Sequence, residues 1–110
     1  MSPTVLVVED YPDLRFAIAA TLSREHYDCD CVGTPDAAIA KLRERRYEVI
    51  LLAPRLPISS DPVMHFLQEH QPGEMPKVVL MTDPGVVSDC RTLVKPFNPS
   101  ELLGELPPSE

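Results

Sequence analysis

The fold of this chain follows from nine central residues, VILLAPRLP at positions 49–57. Four apolar residues open this segment, and a small residue followed by a proline-rich loop closes it. A short apolar run bounded by turn signals is typical of a strand that is buried on both faces of a parallel sheet. In open α/β sheets, ligands bind just beyond the carboxyl ends of such strands. The residue at that position is Ala53. The functional interpretation therefore depends on the fact that this side chain is a methyl group with no polar atom.

Segments with strand character and segments with helical spacing alternate along the rest of the chain. Each predicted helix begins at a proline, which suits the first helical position because no backbone N–H is needed there. Five strands that alternate with four helices predict a doubly wound α/β domain with right-handed crossovers. The predicted strands are 4–8, 27–32, 48–53, 77–82 and 92–94, and the predicted helices begin at Pro12, Pro35, Pro62 and Pro99.

Capping residues support three of these helix starts. Thr34, Asp61 and Asn98 each stand directly before the proline, where their side chains can accept hydrogen bonds from the first turn. Glu101 completes a predicted capping box with Asn98. In the first helix, Phe16 is predicted to widen the apolar stripe that faces the core.

The connection between the fourth and fifth strands is unusually short. Residues 83–91 contain a turn signal, Asp83-Pro84-Gly85, and leave too little chain for a helix and a second turn. A crossover between parallel strands needs at least about 10–12 residues. We therefore expect the helix at this place to be lost or reduced to a loop.

Composition limits the class of protein. The length of 110 residues is that of one domain, predicted over 1–106 with a short proline-containing tail at 107–110. The net charge of −7 repels phosphate backbones and anionic lipid, so we expect no nucleic-acid or membrane binding. Three cysteines cannot all pair within the chain, and they predict reduced thiols in a cytoplasmic protein.

Four predicted strands bring informative residues to one rim of the sheet. The segments that do so are VLVVED at 5–10, VILLAPRLP at 49–57, VVLMT at 78–82 and LVKPF at 93–97. With these segments in this order, the chain resembles the receiver domain of response regulators over essentially its whole length. The resemblance implies a flavodoxin-like (CheY-like) sheet with strand order 2-1-3-4-5 and a place in bacterial two-component signalling.

The resemblance also assigns roles to residues of the rim. It implies that Glu9 and Asp10 match the acidic pair that holds Mg²⁺, and that Thr82 matches the residue that contacts the phosphoryl group. Lys95, before a typically cis Pro96, matches the lysine that pairs with that group. The nucleophilic aspartate falls on Ala53, and a methyl group cannot form an acyl phosphate. We therefore expect a degenerate phosphorylation pocket with no catalytic residue and no enzymatic activity.

Other departures from the family pattern agree with this interpretation. The aromatic switch residue falls on Thr92, and a charged Asp83 stands where a small residue is common. With one carboxylate missing, we expect no cofactor, or at most weak Mg²⁺ binding by Glu9 and Asp10. The alternative for these two acids is permanent neutralisation by Lys95, because buried carboxylates without a cation are costly. Arg55 is a candidate second cation.

Several polar residues keep alternatives open. Ser59, Ser60 or Asp61 could replace the missing phosphate acceptor, although such loop residues usually serve as caps and turns. Cys29 and Cys31 share one face of the second strand and are expected to face the core, because two thiols alone make a poor zinc site. Cys90, in the short connection, is expected to be exposed.

The sequence thus predicts a phosphorylation-independent protein-interaction module of bacterial signal transduction. Loss of a helix would uncover part of the sheet near strands four and five, and exposed apolar area of that kind marks an interface. Val86, Val87 and Leu93 are the interface candidates, for a protein partner or for a homodimer. The alternatives are a receiver phosphorylated at a non-standard residue, or a detached receiver part of a larger regulator or histidine kinase.

Overall fold

Five parallel strands form one sheet in the order β2-β1-β3-β4-β5, as predicted. The computed structural model describes residues 2–71 and 73–109, so Met1, Pro72 and Glu110 lie outside it. The strands are β1 (Thr4–Val8), β2 (Asp28–Val32), β3 (Val49–Leu52), β4 (Lys77–Thr82) and β5 (Arg91–Val94). The helices are α1 (Pro12–Arg24), α2 (Pro35–Glu44), α3 (Pro62–His70) and α4 (Pro99–Gly104), and a 3₁₀ turn covers Ile58–Ser60. Among the described helices, none is long and apolar enough to cross a bilayer.

The central strand β3 is apolar because both faces of the sheet are covered there. Its four residues are at most 2% exposed. Ile50 and Leu52 face the core formed with α2 and α3, whereas Val49 and Leu51 face the core formed with α1 and α4. The carboxyl end of β3 is therefore fixed from both sides, and so is the backbone that carries Ala53.

The predicted caps are all present. The Thr34 hydroxyl accepts from the Ala37 amide at 3.1 Å. The Asn98 side chain accepts from the Glu101 amide at 2.8 Å while the Glu101 carboxylate accepts from the Asn98 amide at 2.9 Å. Satisfying these otherwise unpaired donors fixes the start of α2 and of the short α4.

The edge strand β2 divides its side chains between a dry and a wet face, as predicted. Cys29 and Cys31 pack against the core beneath α1, and burial raises the pKa of the Cys31 thiol to about 12. Both thiols are free, and a raised pKa keeps a thiol protonated and unreactive. On the other face, Asp30 accepts a hydrogen bond from the Tyr47 hydroxyl and pairs with Arg45.

The connection between β4 and β5 is a loop, as its length predicted. All of residues 83–90 are described, and none of them is helical. Val86 folds back and is half-buried, whereas Val87 is 93% exposed. Because no helix is present here, this loop is the connection that covers the sheet face near β4 and β5.

Two burial predictions, for Cys90 and Phe16, were wrong, and one interface candidate, Leu93, lies inside the core. Leu93 is only 5% exposed because it points into the core with α1 and α4, and its neighbour Val94 is the exposed residue, at 48%. Cys90 is half-buried against the core of α2 and α3. Phe16 is 71% exposed, since the buried face of α1 is made by Ile18, Thr21 and Leu22.

Glu105, just after α4, ties the end of the chain to the base of the sheet. Its carboxylate accepts from Arg91 Nη2 at 2.6 Å and from Arg91 Nε at 3.0 Å. Lys77 Nζ donates to the Glu105 carbonyl at 2.6 Å. Hydrogen bonds from Arg91 hold the pKa of Glu105 below its ordinary value.

We predict that Glu105→Gln destabilises the protein in a pH-dependent manner. Because the folded-state pKa is depressed, the carboxylate stabilises the fold above its unfolded pKa of about 4.5. This contribution is lost as pH falls through the folded value, so urea unfolding should show a difference at neutral pH that shrinks in acid. Glu74→Gln, in the exposed pair with Arg46, is the control, with little effect at any pH. A Glu105→Gln difference that stays constant with pH would contradict the assignment.

Candidate functional site

The carboxyl ends of β1, β3, β4 and β5 meet around a cavity of about 380 Å³. Four residues singled out from the sequence line it together, namely Asp10, Ala53, Thr82 and Lys95. Glu9 lies beneath them and joins the group through Lys95. The Lys95–Pro96 peptide bond is cis. The structure thus brings the predicted pocket residues to one place.

A buried ion pair forms the floor of this site. Lys95 Nζ lies 2.9 Å from Glu9 Oε1. Glu9 is 0% exposed, and its other carboxylate oxygen accepts from the Tyr11 amide at 3.1 Å. Removing a carboxylate from water costs several kcal/mol unless a cation compensates. Lys95 provides that charge and is the reason an acid can be tolerated here.

Ala53 directly follows the central strand β3 and lines the cavity with a methyl group. Its amide donates to the Val8 carbonyl at 2.8 Å, which extends the hydrogen bonding between β1 and β3 to the rim. A methyl group offers neither a lone pair for nucleophilic attack nor an oxygen for a metal. The strand ends therefore form a pocket, but the Ala53 side chain can neither act as a nucleophile nor bind a metal ion.

Thr82 ends β4 beside Ala53, and its hydroxyl is left without a partner. The residue is 5% exposed, and Oγ1 has no hydrogen-bond partner within the described residues. The Thr82 carbonyl accepts from the Lys95 amide at 2.7 Å, which holds the ends of β4 and β5 together. A buried hydroxyl of this kind is uncommon, because leaving it unpaired costs about 1–3 kcal/mol.

Asp61 is occupied by its structural role. One carboxylate oxygen accepts from the Val63 and Met64 amides at 2.9 and 3.1 Å, and the other accepts from the Arg55 amide at 2.7 Å. The residue is 1% exposed. Asp61 thereby caps α3 and also fixes the loop that follows Ala53, so its oxygens are engaged rather than poised for chemistry.

Solved structures with the same architecture are receiver domains. The receiver domain of the sensor histidine kinase PA1611 from Pseudomonas aeruginosa PAO1 matches with a TM-score of 0.79 and 25% identity, over 94% of this chain and 93% of that one. The chemotaxis response regulator CheY4 of Vibrio cholerae matches with a TM-score of 0.81 and 23% identity, over 94% and 95%. The chain has the response-regulator receiver fold.

Curated relatives point to the same type of domain. The transcriptional regulatory protein AruR of Pseudomonas aeruginosa is 32% identical over an alignment of 117 positions, which covers 94% of this chain and 47% of that protein. The probable transcriptional regulatory protein TcrX of Mycobacterium tuberculosis is 37% identical over 87 residues, or 78% and 36%. The chain spans less than half the length of these relatives, and no protein-family model matches it. Together, the similarities support a response-regulator receiver domain of two-component signalling.

The residues of this receiver fold do not fit the magnesium ion that the family implies. Within residues 2–71 and 73–109, no group of three or more His, Cys, Asp or Glu side chains is placed to hold a metal ion. Glu9 is committed to Lys95, Asp10 is exposed, and Ala53 supplies no oxygen. Mg²⁺ demands near-ideal octahedral oxygen ligation, which this set does not provide.

Arg15 is a site residue that the sequence analysis missed. Its Nη1 donates to the Glu9 carbonyl at 2.8 Å, so α1 holds the turn that carries the buried acid. A Cβ atom added at Gly33 would lie 2.7 Å from this nitrogen. No sequence pattern predicts that the Arg15 side chain donates to the Glu9 carbonyl, six residues earlier. Arg55, in contrast, is exposed and lines the cavity without joining the buried pair.

We predict that Lys95→Met destabilises the receiver fold by about 2–4 kcal/mol, because Glu9 is left buried without its cation. Adding Glu9→Gln should restore much of this loss, since the double variant has no buried charge. Urea unfolding of the two single variants and the double variant measures the coupling between the residues. Arg46→Met, in the exposed pair with Glu74, is the control and should change stability by less than about 0.5 kcal/mol. Purely additive effects would contradict the pairing.

Proposed function

We propose that this receiver-type domain is a phosphorylation-independent, non-enzymatic protein-interaction module of two-component signalling. Ala53 is the observation that carries the proposal, because the end of the central strand holds a methyl group where an acyl phosphate would need a carboxylate. A message passed by such a domain would depend on its shape and contacts.

The surroundings of Ala53 support a fixed state. With a methyl group at position 53, Lys95 pairs with Glu9 instead, at 2.9 Å. The β4–β5 connection holds no helix that could move with the pocket, and β5 carries Thr92 where the family pattern has an aromatic residue. The chain therefore lacks both the helix and the aromatic residue that the family pattern would use to report a change in the pocket.

The proposed partner is a protein. Precedent for such docking comes from the structure of the histidine kinase ThkA in complex with the response regulator TrrA, which aligns with this chain at a TM-score of 0.75. The proposed contact region is the β4–β5 surface, defined by Val87, Thr92 and Val94. Thr92 and Val94 lie opposite Leu80 and Thr82, on the sheet face that α2 and α3 cover elsewhere. The net charge of −7 supports our proposal that nucleic acid and membrane are not partners.

Two alternatives remain tied to particular observations. Ser59 and Ser60 are exposed in the 3₁₀ turn and remain candidates for a non-standard acceptor, whereas Asp61 is held by three backbone amides. The greater length of the curated relatives fits a receiver part of a larger regulator. The same interaction role would apply in that setting.

We predict that the natural chain does not become phosphorylated by acetyl phosphate with Mg²⁺, whereas Ala53→Asp does. The substitution restores an acceptor carboxylate beside Asp10, Thr82 and Lys95, which already line the cavity. Intact-protein mass spectrometry detects a phosphoryl adduct, and hydroxylamine sensitivity identifies it as an acyl phosphate. Ala53→Asn, which has similar size but no carboxylate, is the control. A stable phosphoryl adduct on the natural chain would overturn the proposal.

We predict that Val87→Asp weakens binding at the β4–β5 surface without affecting the fold. Val87 is 93% exposed, so its substitution should alter the free energy of unfolding by less than about 0.5 kcal/mol. Sedimentation equilibrium tests the homodimer, for which the dissociation constant should rise at least about tenfold, as expected for an apolar interface residue. Gln68→Asp, at an exposed position of α3, adds the same charge elsewhere. Equal self-association in both variants would exclude this surface as the dimer interface.

A further inference from the structure

The outer edge of β5 carries backbone groups that find no partner among the described residues. The Lys95 amide donates to the Thr82 carbonyl at 2.7 Å, and Thr82 is the register partner of Val94. Backbone groups of successive strand residues point to opposite sides of a strand. Leu93 and Lys95 therefore direct their N–H and C=O groups toward β4. The same groups of Thr92 and Val94 point away from the sheet, where no further strand follows in the described chain.

This free edge is closed at both of its ends. The Cys90 amide donates to Ser88 Oγ at 3.0 Å, and the Cys90 carbonyl accepts from Thr92 Oγ1 at 3.1 Å. Pro96 has no N–H to offer. The edge is thus limited to the N–H and C=O groups of Thr92 and Val94, which lie symmetrically about the residue between them.

We propose that a second copy of this chain pairs with this edge, β5 against β5 in antiparallel orientation, so that the two sheets become one. A two-fold axis through Leu93 places Thr92 of each copy opposite Val94 of the other. Opposed residues of this kind exchange both N–H···O=C bonds in an antiparallel ladder. The free edge is therefore its own complement, and a second copy leaves none of these groups unsatisfied.

The inference rests on the proposed interaction role and specifies the partner and the contact at the β4–β5 surface. Thr92 and Val94 lie on the sheet face that α2 and α3 cover elsewhere, and Val94 is 48% exposed. Pairing would set Thr92 of one copy beside Val94 of the other, and cross-strand pairs of β-branched residues stabilise a sheet. On the opposite face, Leu93 is 5% exposed and keeps its contacts within its own core.

The charged residues of β5 and its carboxyl end are compatible with this pairing. Arg91 of one copy would lie opposite Lys95 of the other, and two free cations in that position would repel each other. Each already has a partner within its own copy: Arg91 lies 2.6 Å from Glu105, and Lys95 lies 2.9 Å from Glu9. The net charge of −7 on each copy still opposes association at long range, so the dimer should tighten as added salt screens that repulsion.

The other edge of the sheet provides an internal reference. On β2, Asp28 pairs with Arg45 at 3.0 Å, which places charged side chains beside that edge. Charged side chains at an edge strand discourage pairing with another chain. The Asp28 amide donates to the Pro3 carbonyl, so the outward-facing amides of β2 are those of Cys29 and Cys31. We expect these two amides to stay exposed to solvent in the dimer.

The first test is amide hydrogen exchange measured by NMR on the full chain, at concentrations chosen by sedimentation equilibrium to span monomer and dimer. The contact is small, so we expect a dissociation constant of about 10–100 μM. Protection of the Thr92 and Val94 amides should rise with concentration, whereas the Cys29 and Cys31 amides should exchange equally fast throughout. Dimerisation without protection of Thr92 and Val94, or a chain that is monomeric at about 1 mM, would overturn the proposal.

A proline substitution tests the backbone pairing itself. Val94→Pro removes an outward-facing N–H and spares the ladder with β4, because proline is tolerated on an edge strand where its nitrogen faces solvent. Each dimer would lose two of its four interchain hydrogen bonds, so the dissociation constant should rise at least about tenfold.

Val94→Thr keeps the N–H and the branched side chain, and it is the matched control, with a dissociation constant within about threefold of the natural chain. Equal weakening in both variants, or an unchanged constant for Val94→Pro, would contradict the pairing. If Val94→Pro does not fold, amide exchange on the natural chain decides.

These measurements contain neither a phosphoryl donor nor a second kind of protein. Phosphorylation of the natural chain would therefore refute the proposed function and leave the edge pairing intact. A monomeric chain would refute the edge pairing and leave the proposed role in contacting a different protein untouched.

Discussion

The contact between Lys95 and Glu9 is the constraint on which the rim of this domain depends. Glu9 is fully buried, and Lys95 Nζ, 2.9 Å from its carboxylate, offsets part of the cost of removing that group from water. The same lysine connects β5 to β4 through its amide and opens the cis peptide that leads toward α4. Arg15 then fixes the backbone of Glu9 from α1. A charge pair and its backbone supports thus link the carboxyl ends of β1, β4 and β5.

This constraint helps to explain how the receiver fold holds its rim with an alanine at position 53. Ala53 contributes no charge, and the two buried acids nearby have their own partners: Lys95 for Glu9, and three backbone amides for Asp61. The backbone around the cavity is held by separate contacts: Ala53 by β1, and the loop after it by Asp61. We propose that the result is a domain with a fixed pocket, an altered β4–β5 surface and a message conveyed by contact.

The sequence predicted the architecture well because its signals are local. Uninterrupted apolar runs predicted β1, β3 and β4, and the caps Thr34 and Asn98 act within three residues of themselves. The site residues could be located because each follows a predicted strand directly. Their roles rested on resemblance, since a carboxylate, a threonine and a lysine at strand ends admit other chemistry.

The remaining features depend on contacts that local patterns do not encode. Phe16 has the spacing of a helix face, yet the stripe that α1 buries is narrower and is formed by Ile18, Thr21 and Leu22. In a four-residue strand such as β5, alternation alone does not tell which face is dry, and Leu93 is the buried side chain. Arg15 and the unpaired Thr82 hydroxyl matter through their three-dimensional neighbours.

The most direct test of this account is an NMR comparison of the full chain with and without beryllofluoride and Mg²⁺. Beryllofluoride imitates a phosphoryl group only when an acceptor carboxylate binds the beryllium. With Ala53 at the acceptor position and Lys95 held by Glu9, the account predicts that the Thr82 and Lys95 resonances stay unchanged at saturating reagent. Saturable shifts of both resonances would show a working phosphorylation pocket and contradict the account.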